Sequence, residues 1–413
     1  MRDLPTTHAA AEAPASPVAS RGLFGAASPV LLAGMVAVRI VILVVTIHVG
    51  STRPILDGDI HRFEEIGLEQ GAPYRDFPTE YGPVETVVIR AIAGDGLPAT
   101  VTRVALLWFV CELATAAALG WAWGLSTATT FLVLGLPLLT QMSLRLDPLA
   151  VTLAVLGFAL ARKGRERAGG VVLALAALTK VWPLFLVPAL LIDRRRRAAG
   201  WFVGAAVAGG TVWAFASGAG APLQVVSFRG VTGWHIESAV GLLVWVLTGG
   251  PVRGELGAIR VGTMTWWERI GLGAATIALL FAVWTKAWRR RITVDPLGAP
   301  AVAALAGAIL LSPVWAGHYV SWLLPWGAIA AGYGGGRATA RVLFAASILT
   351  AFVGATLDFG RWEGSGPHIP VVQAALLAIH VLFGVLILRW LRSEPATAPI
   401  ERSGRTRPPT GRR

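Results

Sequence analysis

The residues best suited to chemistry are carboxylates in a polar stretch, 50–98, of an otherwise apolar sequence. Asp57 and Asp59 lie two positions apart with Gly58 between them. A carboxylate held next to a hydroxyl can accept its proton, so either aspartate could act as a general base. Asp57 could instead cap the helix that the following residues predict. The string DGD also resembles the start of a calcium loop, but the remaining ligands are absent and no metal site is expected.

Further ionisable side chains fall at the ends of apolar segments. They are Arg145 and Asp147 in SLRLDP, Lys180 in TKVWP, Arg229, His235 and Glu237 in SFRGVTGWHIES, and His318 in SPVWAGHY. Ionisable groups at such depths are costly unless they are paired or used. Arg145 and Asp147 could form a local ion pair. Lys180 could extend its ammonium to the membrane interface, and His318 could be a packing residue. Because all of them are expected on one side of a membrane, we favour a shared site.

Composition indicates the kind of scaffold that must position these groups. Of the 413 residues, 55% are hydrophobic and 14% are charged, whereas soluble domains carry about 25% charged residues. Apolar runs recur along most of the chain, which excludes a disordered or collagen-like protein and predicts a polytopic membrane protein. The single cysteine, Cys111, lies within such a run, so an intramolecular disulfide is excluded.

The lengths of the apolar runs predict an all-α membrane protein with about twelve transmembrane helices. We place the crossings at 28–49, 99–124, 126–144, 148–161, 169–182, 183–192, 198–216, 266–288, 297–312, 319–334, 339–357 and 370–391. The fourth to sixth segments are short and contain prolines that indicate breaks, so we allow a difference of two in the count. The apolar segment 237–249 is expected to dip into the membrane from the external side.

Basic residues cluster in alternate loops, and this pattern predicts the topology. Arginines and lysines are concentrated at 162–167, 194–197, 289–291 and 337–341 and in the C-terminal tail. The positive-inside rule assigns these segments to the cytoplasm and the intervening, acid-rich loops to the outside. Both termini are therefore predicted to be cytoplasmic. The formal net charge of +13 is explained by this topology, and no nucleic-acid partner is expected.

Composition also divides the chain into three parts. Residues 1–26 and 393–413 are rich in Ala, Pro, Ser or Arg and are predicted to be disordered cytoplasmic tails. Residues 27–392 form the predicted transmembrane domain, in which 50–98 is the first external loop. Long loops that are held by a rigid scaffold commonly carry function, so we expect catalysis there.

Two short helices are predicted within that loop. Residues 59–70 have helical spacing, with Ile60, Phe63 and Ile66 on one face. Residues 84–93 follow a proline and are apolar enough to rest in the membrane interface. We expect both helices to lie on the membrane surface.

The order of several strings resembles glycosyltransferase family 87, a group of polytopic C-type glycosyltransferases. In this sequence the strings are Asp59 followed by Phe63, GAPYRDFPTEYGP at 71–83, LDPL at 146–149, TKVWP at 179–183, IES at 236–238, and SPVWAGHYVSWLLP at 312–325. The family usually has Tyr where this chain has Phe63, and EYPP where this chain has EYGP through Gly82. Neither departure removes an acid.

The resemblance implies the C-type glycosyltransferase fold and an inverting transfer of a sugar, most often mannose. The implied donor is a polyprenyl monophosphate and the implied acceptor is a glycolipid or glycan outside the plasma membrane, with no metal and no other cofactor. Asp59 would be the general base, and His318 is a second catalytic candidate. Residues expected to bind substrate are Asp57, Arg62, Tyr74, Glu80, Tyr81, Arg145, Asp147, Lys180, Arg229, His235 and Glu237. Of the cations near the external rim, Lys180, Arg229 and His318 are expected to stabilise the departing phosphate.

Two other classes of protein stay open at this point. A transporter or a flippase of lipid-linked sugar would show internal repeats and ionisable groups near the bilayer midplane. The sequence has no convincing repeat, and its ionisable groups fall at the predicted rims. A membrane scaffold without catalysis is compatible with the departures at Phe63 and Gly82. The pattern specifies neither the acceptor nor an oligomeric state.

Overall fold

A computed structural model describes residues 28–52, 58–94, 96–227, 233–255, 258–332, 336–359 and 369–394. Two of the candidate site residues, Asp57 and Arg229, lie outside these ranges. The predicted tails also lie outside them, apart from residues 393 and 394.

Helices make up most of the described structure. In chain order they are α1 (Pro29–Thr52), α2 (Gly58–Leu68), α3 (Pro83–Ile92), α4 (Leu97–Trp123), α5 (Leu125–Leu134), α6 (Leu139–Met142), α7 (Asp147–Arg162), α8 (Glu166–Thr179), α9 (Pro188–Ile192), α10 (Arg196–Ser217), α11 (Ala221–Ser227), α12 (Ala239–Thr248), α13 (Trp266–Arg289), α14 (Ala299–Leu310), α15 (Leu324–Ala331), α16 (Arg337–Phe359) and α17 (Ile369–Arg392). Short 3₁₀ helices at Leu136–Leu138, Trp182–Leu186 and Gly317–Leu323 precede α6, α9 and α15.

Six of the described helices are long and apolar enough to cross a membrane, namely α1, α4, α10, α13, α16 and α17. A seventh span results if α5 and the segment Leu136–Met142, which meet at a bend of 43°, are counted together. These helices indicate a helical membrane protein, as the composition predicted. The other predicted crossings coincide with shorter or broken helices, and the total of twelve stays a prediction.

A small sheet departs from the all-α prediction. Strands β1 (Trp234–His235), β2 (Val252–Glu255) and β3 (Ala258–Val261) pair antiparallel in the order β1-β3-β2. His235 of β1 lies opposite Arg260 of the central strand. Strands this short contain too few residues for an alternating pattern to stand out, so hydrophobic periodicity could not predict them.

The two short helices predicted after the first crossing are present as α2 and α3. Ile60, Phe63 and Ile66 are at most 1% exposed, so the face predicted from helical spacing is confirmed. This face does not lie on a membrane surface, because it packs against Ile89 of α3 and Val101 of α4. The apolar face is therefore a buried contact within the protein, and the position of the two helices on a membrane surface stays a prediction.

Glycines let α8 pack closely between α7 and α10. A Cβ atom at Gly157 of α7 would lie 2.5 Å from Leu173 Cγ of α8, and one at Gly170 of α8 would lie 2.4 Å from the Ala198 carbonyl oxygen of α10. Small residues at helix contacts are the usual means of close packing in membrane proteins. This packing brings the first residue of α7 close to the end of α8.

Candidate active site

The end of α8 and the start of α7 place a lysine beside an aspartate. Lys180, the C-cap residue of α8, has its Nζ 3.8 Å from Asp147 Oδ1 and 3.2 Å from Glu85 Oε1. The Glu85 and Asp147 side chains are only 1% and 4% exposed. A cation at a helix C-terminus and an anion at a helix N-terminus are each favoured by the helix dipole. The Lys180 ammonium is thus directed to two buried carboxylates, which corrects the alternative that it only extends to the interface.

Asp147 also joins this pair to the string that contains His318. Trp322 Nε1 donates a hydrogen bond of 2.8 Å to Asp147 Oδ1, and His318 Nε2 lies 3.5 Å from Asp147 Oδ2. His318 belongs to the short helix Gly317–Leu323, outside the candidate membrane spans. Burial lowers the pKa of His318 to about 4, although the nearby Asp147 carboxylate opposes that shift. His318 is therefore a neutral imidazole near pH 7, which can both donate and accept a hydrogen bond.

Asp59 lies in the first turn of α2 and is held by an arginine from a distant part of the chain. The Arg145 guanidinium donates to Asp59 Oδ2 across 86 residues of sequence. The Asp59 side chain keeps 27% of its surface exposed, so the carboxylate can be reached from outside. Within the described ranges, no group of three or more His, Cys, Asp or Glu side chains is arranged to hold a metal ion. The arrangement suits proton transfer and hydrogen bonding.

A cavity of about 650 Å³ lies next to these charges. Cavities that hold a small ligand commonly have volumes of about 300–1,000 Å³ and mostly apolar walls. Polar and aromatic side chains on its wall include Glu80, Tyr81, Lys180, Trp182, Tyr319 and Trp322, and the remaining wall is mostly apolar. Trp322 stacks on Tyr319 with ring centroids 3.9 Å apart and on Trp182 at 5.5 Å. Lys180 and Trp322 therefore connect the cavity to Asp147.

Tyr74 maintains the shape of the loop that leads to α3. Its φ of +69° is unusual for a bulky residue and strains the backbone. The Tyr74 hydroxyl donates to the Tyr81 carbonyl oxygen at 2.7 Å and lies 2.9 Å from Thr86 Oγ1. Burial raises the pKa of the Tyr74 hydroxyl well above its ordinary value. Tyr74 thus supports Tyr81 at the cavity wall, and its predicted contact with substrate stays a prediction.

Arg62 likewise anchors the loop. Its guanidinium donates to Glu65 Oε2 at 3.0 Å and to Glu80 Oε2 at 3.3 Å. Glu80 is part of the cavity wall, whereas Arg62 is not. We therefore assign Arg62 to positioning Glu80, and its expected direct contact with substrate stays a prediction.

His235 and Glu237 lie away from the cavity wall. The His235 backbone N–H donates to the Pro313 carbonyl oxygen at 3.2 Å, and the Gly317 N–H donates to Glu237 Oε2 at 2.8 Å. These bonds attach the start of the sheet region to the segment that carries His318. Both residues were predicted to bind substrate; the structure shows them supporting the segment that carries His318, and their contact with substrate stays a prediction.

The two departures from the family pattern have structural reasons in this chain. A Cβ atom at Gly82 would lie 2.4 Å from the Leu178 carbonyl oxygen, so glycine lets the start of α3 approach the end of α8. That approach brings Glu85 to Lys180. Phe63 is 1% exposed and packs edge-on against Tyr81, with ring centroids 5.6 Å apart. Both residues support the site.

Two side chains at this site were missed by reasoning from the sequence. Glu85 is the acid in the otherwise apolar first turns of α3, and its isolation there was the available signal. Arg269, on the cavity wall, lies at the predicted external end of a crossing. The positive-inside rule makes a cation unusual at that position, and this was the signal that could have identified it.

A scan of protein-family models and a search of curated proteins give no match to this chain. Asp59, Lys180, His318 and the pair Arg145 and Asp147 come from four separate strings and meet in one cluster. The cluster adjoins the cavity through Lys180 and Trp322.

Proposed function

We propose that this protein is an inverting membrane glycosyltransferase of the C-type fold that resembles family 87. It moves a sugar, with mannose as the first choice, from a polyprenyl monophosphate donor to a glycolipid or polysaccharide acceptor on the external face of the plasma membrane. The observation that carries the proposal is the cluster of Asp59, Arg145, Asp147, Lys180 and His318 beside a large, mostly apolar cavity. The cluster supplies acid–base groups, and the cavity supplies room for a lipid-linked sugar.

The chemistry needs one base. The acceptor hydroxyl attacks the anomeric carbon from the face opposite the phosphate, the bond from that carbon to the phosphate oxygen breaks, and Asp59 takes the hydroxyl proton. The polyprenyl monophosphate leaves as a stable anion, so no second carboxylic acid is required, unlike in a glycoside hydrolase. Arg145 orients the Asp59 carboxylate before the acceptor arrives.

The remaining groups orient the sugar. Neutral His318 accepts or donates one hydrogen bond to a sugar or acceptor hydroxyl. Tyr319, Trp322 and Trp182 form a stack of aromatic rings at the cavity wall, and an outer ring face of this stack suits the apolar face of a pyranose. Lys180, held between Glu85 and Asp147, fixes the geometry of this wall.

The test is a transfer assay in membranes that contain the protein. Labelled polyprenyl-phosphate-mannose and a lipid extract of the native envelope are incubated with wild type, Asp59→Asn and Glu69→Gln, with EDTA present. Glu69 is an exposed acid one residue beyond α2 and serves as the matched control. We expect a new labelled glycolipid from wild type and Glu69→Gln and none from Asp59→Asn.

Two outcomes would contradict the proposal in different ways. Equal product from Asp59→Asn would reject Asp59 as the base. No product from any form, after the donor sugar has been varied, would reject transfer. The alternative function, a flippase of lipid-linked sugar, would then be tested by measuring movement of the same labelled lipid across sealed vesicles.

A further inference from the structure

Arg269 differs from the other cations around the cavity. Lys180 lies between two carboxylates, Arg145 donates to Asp59, and Arg62 bridges Glu65 and Glu80. The Arg269 side chain lines the cavity and is partly buried. Its Nε is buried, and it has no hydrogen-bond partner among the described residues. A buried guanidinium nitrogen that lacks a hydrogen-bond partner is costly, so an anionic ligand that accepts from it would stabilise this part of the wall.

Arg269 stands at one end of an apolar stripe. Cavity-lining residues on α13 recur at helical spacing after it, at Leu272, Gly273, Thr276 and Ile277. Residues at these intervals share one face of a helix, and the stripe extends for about 12 Å. The complementary ligand has an anionic head followed by an apolar chain. A small hydrophilic anion would leave the apolar stripe without contact.

We infer that Arg269 binds the phosphate of a lipid monophosphate whose chain lies along α13. The planar guanidinium can grip a phosphate through two parallel hydrogen bonds. Lys180 is a poorer phosphate ligand than expected, because Glu85 and Asp147 already surround its ammonium. The same carboxylates repel a phosphate and favour the neutral sugar on their side of the cavity.

The identity of the ligand as a sugar donor rests on the proposed function, but the binding step can be measured without transfer. The probe is labelled farnesyl phosphate, with the purified protein in phosphatidylcholine nanodiscs. Wild type is compared with Arg269→Gln, Arg269→Lys and Arg289→Ala. Arg289 is an exposed arginine at the other end of α13 and serves as the matched control. Thermal unfolding of each variant verifies that it is folded.

We expect Arg269→Gln to raise the Kd for farnesyl phosphate by about 10- to 100-fold, since a hydrogen-bonded charge is lost. Arg269→Lys should bind with intermediate affinity, because it keeps the charge but loses the planar fork. Arg289→Ala should bind as wild type does. This result would support the inference even if no sugar transfer is found.

Three competitors distinguish the part of the ligand that is recognised. Inorganic phosphate and farnesol should each compete far more weakly than unlabelled farnesyl phosphate. Phosphatidylglycerol, which presents the phosphate of a bulk lipid, should not displace the probe. The inference is overturned if Arg269→Gln binds farnesyl phosphate as tightly as wild type, or if farnesol, inorganic phosphate or phosphatidylglycerol competes equally well.

Discussion

The two ends of α7 carry similar charged groups in different surroundings. At its first residue, Asp147 meets Lys180 and His318 beside the cavity. At its last residue, Arg162 donates to Asp295 Oδ2 at 3.0 Å, and Asp295 also accepts from Trp123 Nε1 at 3.1 Å. Lys180, from the Asp147 end, is one of the described residues that line the cavity. Arg162, Asp295 and Trp123, from the other end, are not part of that wall.

This difference teaches that a buried ion pair alone does not mark a functional site. The Arg162 guanidinium also lies over the Trp123 ring, 5.2 Å from its centroid, and the Leu297 N–H donates to Asp295 Oδ1 at 3.0 Å. These contacts leave Asp295 only 3% exposed. The charges at the Arg162 end are held by contacts within the protein, whereas the charges at the Asp147 end lie next to the cavity.

The largest expected effect is the loss of transfer rate in Asp59→Asn, for which Asp295→Asn is the control. Both aspartates pair with an arginine, and the amide keeps the size of the side chain while removing its basicity. We expect Asp59→Asn to lower the transfer rate about 10²- to 10⁴-fold, the usual contribution of a general base. Asp295→Asn should leave the rate per folded molecule unchanged. Initial rates, normalised to folded protein by size-exclusion chromatography, measure both, and equal losses would remove the distinction between the two ends.

The second comparison is between the free energies of unfolding of a variant at each end of α7 or its partners, Lys180→Met and Arg162→Met. Lys180→Met removes the cation between Glu85 and Asp147, and loss of one partner from a buried charge cluster costs about 3–5 kcal/mol. Arg162→Met should cost less, because Asp295 keeps the Trp123 and Leu297 donors. Denaturant titration in detergent measures the free energy of unfolding of each variant. The prediction is wrong if Lys180→Met is as stable as wild type or if Arg162→Met is the more damaging change.

A smaller effect is expected from Gly82→Ala. The added methyl group meets the Leu178 carbonyl oxygen, and such overpacking costs about 1–3 kcal/mol. The control is Gly204→Ala on α10, where an added Cβ meets nothing within 4 Å and helix propensity improves. Thermal unfolding should rank Gly204→Ala at or above wild type and Gly82→Ala below it. The reverse order would contradict the close approach of α3 to α8.

The smallest expected effect is on pH dependence. The pKa of folded His318 is about 4, below the ordinary value of about 6.5 that it has in the unfolded chain. The unfolded chain therefore takes up the proton first, and stability falls as the pH decreases from about 6.5 towards 4. Between pH 7.5 and 5.5 we expect a loss of about 1 kcal/mol from this group. His318→Gln should remove that part of the pH dependence, and an unchanged slope in unfolding measurements would contradict the burial of the imidazole.

Much of the site was predictable residue by residue. Asp59, Arg145, Asp147, Lys180 and His318 are ionisable groups at the ends of apolar segments, and the structure brings all five together. Their types and positions are local properties, so the sequence reveals them. Their partners are not local, since Asp59 and Arg145 are 86 residues apart. For the same reason, the pairing of Arg145 with Asp59 was not anticipated.

Other parts of the site had weak sequence signals. Glu85 is an isolated acid in a first helical turn, where acids are common, and its 1% exposure is known only from the structure. Arg269 stands next to Glu268, and nothing in the sequence excludes a surface ion pair between them. Its position on the cavity wall depends on the direction in which α13 faces.

The sequence by itself determined that this is a helical, membrane-type protein, where its long apolar helices lie and which polar residues stand at their ends. Apolar length and helical spacing are properties of neighbouring residues, so they can be read along the chain. Only the tertiary structure decided which charges meet and which cluster adjoins a cavity. Those outcomes depend on the packing of elements from distant parts of the chain, such as the glycine contacts that set α8 against α7 and α3. The candidate residues can therefore be identified in the sequence, and the site that they form can be identified only in the fold.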